Sequence, residues 1–242
     1  MEGFVVILAV ILVAVFVAVL DWQGRRRREK ELSAWAAGRG LRFNPEREPQ
    51  FGTRYESFRA LQRGSNRYAF NRITGSWGTH EFTGFDYHFE TYSYGKHGRT
   101  THHHYFSAVI LSSPVPLTPL VIRPEGMFDK VAEFFGLDDI DFESAEFSRC
   151  FHVSSPDRKW AYDVLHARAI QHMLEMPVFT IEFGPREIIA SRSKRFTPAD
   201  FDAASELVAR LLDGLPDYVL RERNAPPRPP PPLPGGWPER SA

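Results

Sequence analysis

Residues 80–112 read HEFTGFDYHFETYSYGKHGRTTHHHYFSAVILS, and this stretch decides the fold. From His80 to Tyr92, and again from Thr101 to Ser112, aromatic and β-branched residues recur with period two, the pattern of a half-buried strand. Between them Gly95-Lys96-His97-Gly98 supplies the positive-φ positions that a reversal needs, so the two segments form an antiparallel hairpin. Centring the turn places Glu90 opposite His104 and Tyr92 opposite His102. It also sets Phe85, Tyr87, Phe89, Tyr105, Val109 and Leu111 on one core-facing surface.

The other face of this hairpin concentrates histidine. Of nine in the chain, His80, His88, His97, His102, His103 and His104 fall within this one stretch. In the centred register His88, Glu90, His102 and His104 share a face. Imidazoles two residues apart on a strand point the same way, and with a cross-strand carboxylate they offer three ligands to zinc or another divalent metal. Solvated hairpin histidines are the plainer account, because metal ligands are normally held by outer partners that a hairpin tip does not supply. A surface that charges near about pH 6 to 7 is a third reading.

Working outward, strands are predicted near 67–74 and 118–123 on either side of the hairpin. The stretch Ile140–Val153 is expected to hold one or two more. A second hairpin is read over Val178–Phe183 and Glu187–Ser193, around Gly184-Pro185. Helical spacing of Phe128, Val131, Ala132 and Phe135 before Gly136 predicts a short helix over 127–135, and Asp157–Glu175 reads as another. Thr197-Pro198-Ala199-Asp200 opens a helix with a Thr cap, a Pro at the first position and an acidic residue in the first turn. Its apolar stripe is Phe201, Ala204, Leu207, Val208, Leu211 and Leu212. Gly214 interrupts it, and Pro216 starts a continuation to about Arg223.

Toward the N-terminus, Gly3–Leu20 holds no charged residue, and about 1.5 Å per residue gives about 27 Å, close to the hydrocarbon thickness of a bilayer. A spanning helix is expected over 3–20, with Trp22 at the interface. A cleaved signal peptide fits less well, since the apolar run lacks a basic lead and a small-x-small site. Arg25, Arg26, Arg27, Arg28 and Lys30 then place the N-terminus outside and the rest in the cytoplasm, with the four arginines lying against anionic headgroups. A helix over 25–38 presents Leu32, Trp35 and Ala36 on one face. Asn44–Gly52 reads as a linker, and a short helix is expected over Tyr55–Gln62.

Composition narrows function. The chain has 30 Lys plus Arg against 30 Asp plus Glu, so there is no net field to attract nucleic acid, and the single Cys150 excludes an intrachain disulfide. Cys150, beside Phe147, Phe151 and Val153, reads as an inert thiol. Catalytic motifs fail at identifiable positions. His80-Glu81-Phe82-Thr83-Gly84 lacks the second zincin histidine, and Thr74-Gly75-Ser76-Trp77-Gly78 lacks the first glycine of a nucleophile elbow. The alternation Asp139, Asp141, Glu143 resembles a calcium loop, but Ser144 and Cys150 stand at the glycine and glutamate positions. No phosphate loop or dinucleotide fingerprint is present. Arg228-Pro229-Pro230-Pro231-Pro232-Leu233-Pro234 fits a polyproline ligand, with a flexible tail as the plainer account.

Phe85-Asp86-Tyr87-His88-Phe89, Leu120-Val121-Ile122-Arg123-Pro124-Glu125, Asp139-Ile140-Asp141-Phe142-Glu143, Phe147-Ser148-Arg149-Cys150-Phe151-His152-Val153 and Val164-Leu165-His166-Ala167-Arg168 together resemble a broad group of uncharacterised bacterial membrane-anchored proteins. The likeness covers residues 80–215. It implies an anchor followed by one α+β domain, and that group carries no assigned activity to transfer.

The expectation is therefore an α+β protein: an anchor over 1–22, a juxtamembrane helix and linker over 23–57, a cytoplasmic domain over 58–224 with an antiparallel sheet packed by about three helices, and a proline-rich tail over 225–242. The leading function is a non-catalytic binding or assembly module with an unknown protein partner and no cofactor. The alternative is a metal sensor or metal-dependent enzyme using His88, Glu90, His102 and His104.

Overall fold

The computed structural model describes residues 2–96, 98–125 and 140–224. The helix read over 127–135, His97 of the turn, Asp139 and the proline tail lie outside the described residues. Among the described residues eight strands form one fully antiparallel sheet: β1 (Arg42–Asn44), β2 (Ser65–Trp77), β3 (His80–Gly95), β4 (Gly98–Ser112), β5 (Leu120–Pro124), β6 (Phe151–Ser154), β7 (Thr180–Phe183) and β8 (Glu187–Arg192). Their spatial order is β1-β2-β3-β4-β8-β7-β5-β6. Among the described residues seven helices accompany it: α1 (Glu2–Gly38), α2 (Phe51–Arg54), α3 (Ala145–Cys150), α4 (Arg158–Val164), α5 (Ala167–Glu175), α6 (Pro198–Asp213) and α7 (Asp217–Asn224). The α+β class and the antiparallel sheet are as expected; the helices outnumber the three anticipated.

Both faces of the sheet are covered, which is why its strands carry apolar residues on consecutive positions. On the first face Ile73, Phe82, Val109, Leu111, Ile188 and Ala190 join Leu32, Trp35 and Ala36 of α1 and Phe201, Ala204, Leu207 and Val208 of α6 in one buried cluster. On the second face Phe51, Phe58 and Leu61 cover Phe85, Tyr87, Phe89, Phe106, Ala108, Ile110 and Ile189. That cover extends over β2, β3 and β4 and leaves a depression beyond, above β8, β7 and β5.

The helix α6 begins as its sequence predicts. The Thr197 hydroxyl accepts from the Asp200 N–H at 3.2 Å, and the Asp200 carboxylate accepts from the Thr197 N–H at 2.9 Å, a reciprocal capping box. Three other stretches depart from expectation. Residues 145–150 are helical rather than extended, because the Ser144 hydroxyl caps the Phe147 N–H at 3.2 Å and lets Phe147 and Phe151 both reach the core. The helix read over 157–175 is two helices, since the His166 ring accepts from the Ala169 N–H at 3.4 Å and restarts the chain there as α5. In place of a helix over 55–62 the chain forms a single 3₁₀ turn at Arg59–Leu61, and α2 begins at the end of the stretch expected as a linker.

The membrane span expected over 3–20 is corrected: among the described residues no helix is long and apolar enough to cross a membrane. The apolar run is followed at once by Asp21 and the arginines Arg25 to Arg28. The single-pass, N-outside, domain-cytoplasmic localisation falls with the span. One of the residues counted as a topology signal is in fact internal: Arg28 donates to buried Asp86 through Nε at 2.7 Å and Nη2 at 2.6 Å.

Candidate functional site

The register of β3 against β4 decides which histidines meet. Gly95 pairs with Gly98, so Glu90 faces His103, His88 faces Tyr105, Phe89 faces His104 and Thr91 faces His102. This is one residue from the centred turn, and a one-residue slip exchanges the faces of an entire strand. Phe85, Tyr87 and Phe89 share a face as expected, but with Phe106, Ala108 and Ile110 rather than Tyr105, Val109 and Leu111.

The predicted set His88, Glu90, His102 and His104 is consequently split. His88, Glu90 and His103 come together on the first face, their ligand atoms all within 4.8 Å of one another. The His88 Nε2 to His103 Nδ1 distance is 3.1 Å, and Glu90 Oε1 lies 3.4 Å from His103 Nδ1. His102 and His104 project from the second face. His102 Nε2 is hydrogen bonded to Ser93 Oγ and His104 Nε2 to Thr91 Oγ1, each at 2.8 Å, and His104 stacks on Phe89 with centroids 4.7 Å apart. His80 has a structural role, its two ring nitrogens reaching the Ser112 carbonyl at 2.9 Å and Asp213 Oδ1 at 3.0 Å, which ties β3 to the end of α6.

The surroundings of the trio are ordered. His88 is buried between Tyr68 and Tyr105, whose ring centroids are 4.5 and 4.8 Å away. Its Nδ1–H donates to the Asn66 carbonyl at 3.0 Å, leaving the Nε2 lone pair directed at His103. Burial holds the His88 pKa below its ordinary value, and the neighbouring His103 adds to that. The Asn66 side-chain amide donates to Glu90 Oε1 at 2.6 Å, and the Tyr92 hydroxyl to Oε2 at 3.1 Å; together they keep the Glu90 carboxyl below the usual carboxylate range. Asn66 sits at φ 47°, within the irregularity between Ser65 and Tyr68 where β2 slips against β3. That local kink aims one residue at both members of the trio.

A second concentration of polar chemistry occupies the depression on the second face, a cavity of about 400 Å³. Its walls include Arg59, Arg63, Arg123 and Glu182, above the aromatic surface of Phe89 and Phe106. Glu182 is 6% exposed, and its carboxylate accepts from the Arg59 N–H at 2.7 Å and the Ala60 N–H at 3.2 Å. Burial pushes its pKa up against the opposing pull of those two donors and of the Arg59 and Arg63 charges. Reading the sequence singled out none of these residues. The available signal was Glu182 itself, a carboxylate in the otherwise apolar strand Thr180-Ile181-Glu182-Phe183.

Of the arginines assigned to headgroups, Arg25 pairs with Asp21 at 2.8 Å and Arg26 lies over the Trp22 ring at 5.4 Å. Arg28 is committed to Asp86, as described. Cys150 is a half-buried free thiol packed beside the first-face core.

Comparisons with known proteins bear on the fold. No protein-family model matches the chain, and no curated protein matches it. Among solved structures it is similar to the crystal structure of the mycobacterial trehalose monomycolate transport factor A, TtfA, with a TM-score of 0.58 over 78% of this chain and 96% of that one. Identity between the two is 13%, so what they share is architecture.

Proposed function

We propose that this protein is a membrane-associated, non-catalytic binding module that holds an anionic amphiphile in the second-face cavity. The observation that carries the reading is the cavity itself. Arg59, Arg63, Arg123 and Arg192 line it beside the one buried carboxylate of Glu182, Arg192 being paired with Asp200, and the Phe89 and Phe106 surface beneath offers an apolar bed. Such a pairing suits a phosphate or carboxylate carried on a short hydrocarbon body. The distant structural neighbour TtfA is a trehalose monomycolate transport factor, and a lipid-handling role accords with it.

Membrane association is supported by the exposed side of α1. Ile11, Phe16 and Trp22 are 52%, 63% and 55% exposed, and a helix apolar on all sides is stable only with something apolar around it. A lipid surface meets that need, with Arg25, Arg26 and Arg27 at its headgroup level.

The test is isothermal titration of hexyl phosphate into the full-length chain, with hexanol and inorganic phosphate as controls. The reading expects hexyl phosphate to bind, both controls to bind at least tenfold more weakly, and an Arg59→Ala/Arg63→Ala variant to lose about tenfold or more, since a charged hydrogen bond contributes about 1.5 to 3 kcal/mol. Equal binding of hexanol, or an unchanged double variant, overturns it.

A further inference from the structure

We infer that His88, Glu90 and His103 form a divalent-metal site, with zinc as the fitting ion. Four observations converge, and they concern the opposite face of β3 and β4 from the arginine-lined cavity.

First, the spacing is that of a coordination sphere. With zinc–nitrogen distances of about 2.0 to 2.1 Å and tetrahedral angles, neighbouring ligand atoms stand about 3.3 to 3.4 Å apart. Here His88 Nε2 and His103 Nδ1 are 3.1 Å apart, and Glu90 Oε1 and His103 Nδ1 are 3.4 Å apart. Two of the three edges of the ligand triangle thus match a tetrahedral zinc sphere, and all three atoms lie within 4.8 Å of one another.

Second, two of the three donor atoms are in the form a metal needs, and the third, His103 Nδ1, gives up the proton it shares with His88 Nε2 when the ion binds. The Nδ1–H of His88 is spent on the Asn66 carbonyl, so Nε2 presents a lone pair. Glu90 is held as a carboxylate by Asn66 and Tyr92. Two imidazoles and a carboxylate suit zinc better than calcium or magnesium, which take oxygen.

Third, the outer partners that sequence reading judged missing at a hairpin tip are present. Asn66 contacts two of the three ligands from the kink in β2, and Tyr68 and Tyr105 pack on the two sides of His88. Such partners orient the first ligands and keep them from adapting to solvent.

Fourth, access is one-sided. His88 is 2% exposed, whereas the His103 side chain is 55% exposed. A metal held here has protein on one side and an open fourth position toward solvent, where water or an incoming donor completes the tetrahedron. The ion would clasp β3 to β4 and, through Asn66, fix the kink of β2.

The test uses the full-length chain carrying no affinity histidines. Zinc is titrated against a chromophoric chelator, and Co²⁺ is added separately to read its visible absorption. The inference expects one zinc per chain and a Co²⁺ spectrum of tetrahedral type. His103→Ala changes an exposed side chain and Glu90→Gln is isosteric, so both keep the fold, and each weakens zinc at least tenfold. Asn66→Ala removes the amide that orients Glu90 while keeping the backbone carbonyl that orients His88, and weakens zinc about tenfold. His102→Ala/His104→Ala leaves zinc affinity unchanged, because those rings face the other way. No stoichiometric zinc, wild-type affinity in His103→Ala, or loss of zinc in the His102/His104 variant each overturns the inference. The last result would also show that β3 and β4 pair in the alternative register.

Discussion

Replacing Arg28 by methionine probes how the long N-terminal helix is held to the domain. Asp86 is fully buried and accepts four hydrogen bonds: from Arg28 Nε at 2.7 Å, Arg28 Nη2 at 2.6 Å, Ser107 Oγ at 2.5 Å and Asn71 Nδ2 at 2.9 Å. Methionine keeps the aliphatic stem of Arg28 and removes its charge and both donors. The carboxylate then stays buried with two neutral partners and no counter-charge. Breaking a buried pair in this way costs about 3 to 5 kcal/mol. Because the Arg28 side chain is 16% exposed and water can partly replace it, the lower end applies, about 3 kcal/mol. At about 1.4 kcal/mol per tenfold, that lowers the folding equilibrium constant more than a hundredfold.

The assay is urea denaturation of the full-length chain in a non-ionic detergent, run as a double-mutant cycle with Asp86→Asn. Neutralising Asp86 in the methionine background removes the stranded charge, so the double variant should be more stable than the sum of the two single losses implies. A loss below about 1 kcal/mol for Arg28→Met, or strictly additive effects, would refute the reasoning and place Arg28 outside the fold.

Three further outcomes are expected. Thr197→Ala removes one half of the capping box of α6 and should cost about 0.5 to 2 kcal/mol in the same denaturation assay, while Thr197→Ser should cost less. Glu182 holds its proton more tightly folded than unfolded, so its contribution to stability is complete below its ordinary pKa of 4.5 and is lost as pH rises through the raised folded value. Glu182→Gln should therefore gain stability relative to wild type between pH 5 and pH 8, and a constant difference across that range would contradict the assignment. Gly64 has φ +63°, and a Cβ there would stand 2.2 Å from the Glu90 carbonyl oxygen, so Gly64→Ala should cost more than about 1 kcal/mol and also weaken zinc by displacing the Glu90 backbone. Thermal unfolding and the zinc titration measure the two effects.

The elements that sequence reading located well are those whose signals are local. Gly184-Pro185 between two β-rich runs marks the β7–β8 hairpin, and Thr197 with Asp200 marks the start of α6. The elements it misplaced are those where a short-range competitor wins. Ser144 caps a helix in a stretch read as strand, and His166 restarts one in a stretch read as continuous. The apolar N-terminal run was measured by hydropathy alone, which does not reveal that its basic flank contains a residue serving the interior.

By itself the sequence determined the α+β class, the two hairpins and the concentration of histidines at one of them, because period, turn residues and caps act over a few positions. Tertiary structure alone decided which histidines meet. The run Phe106-Ser107-Ala108-Val109-Ile110-Leu111 is buried on both faces, so its alternation carries no instruction about which side faces which layer. The register is set instead by contacts distant in sequence: Phe51, Phe58 and Leu61 against Phe85 and Phe106 on one side, and Arg28 reaching Asp86 and Ser107 on the other. Both sets are satisfied only when Asp86 pairs with Ser107. That pairing carries His103, and not His102 or His104, to Glu90.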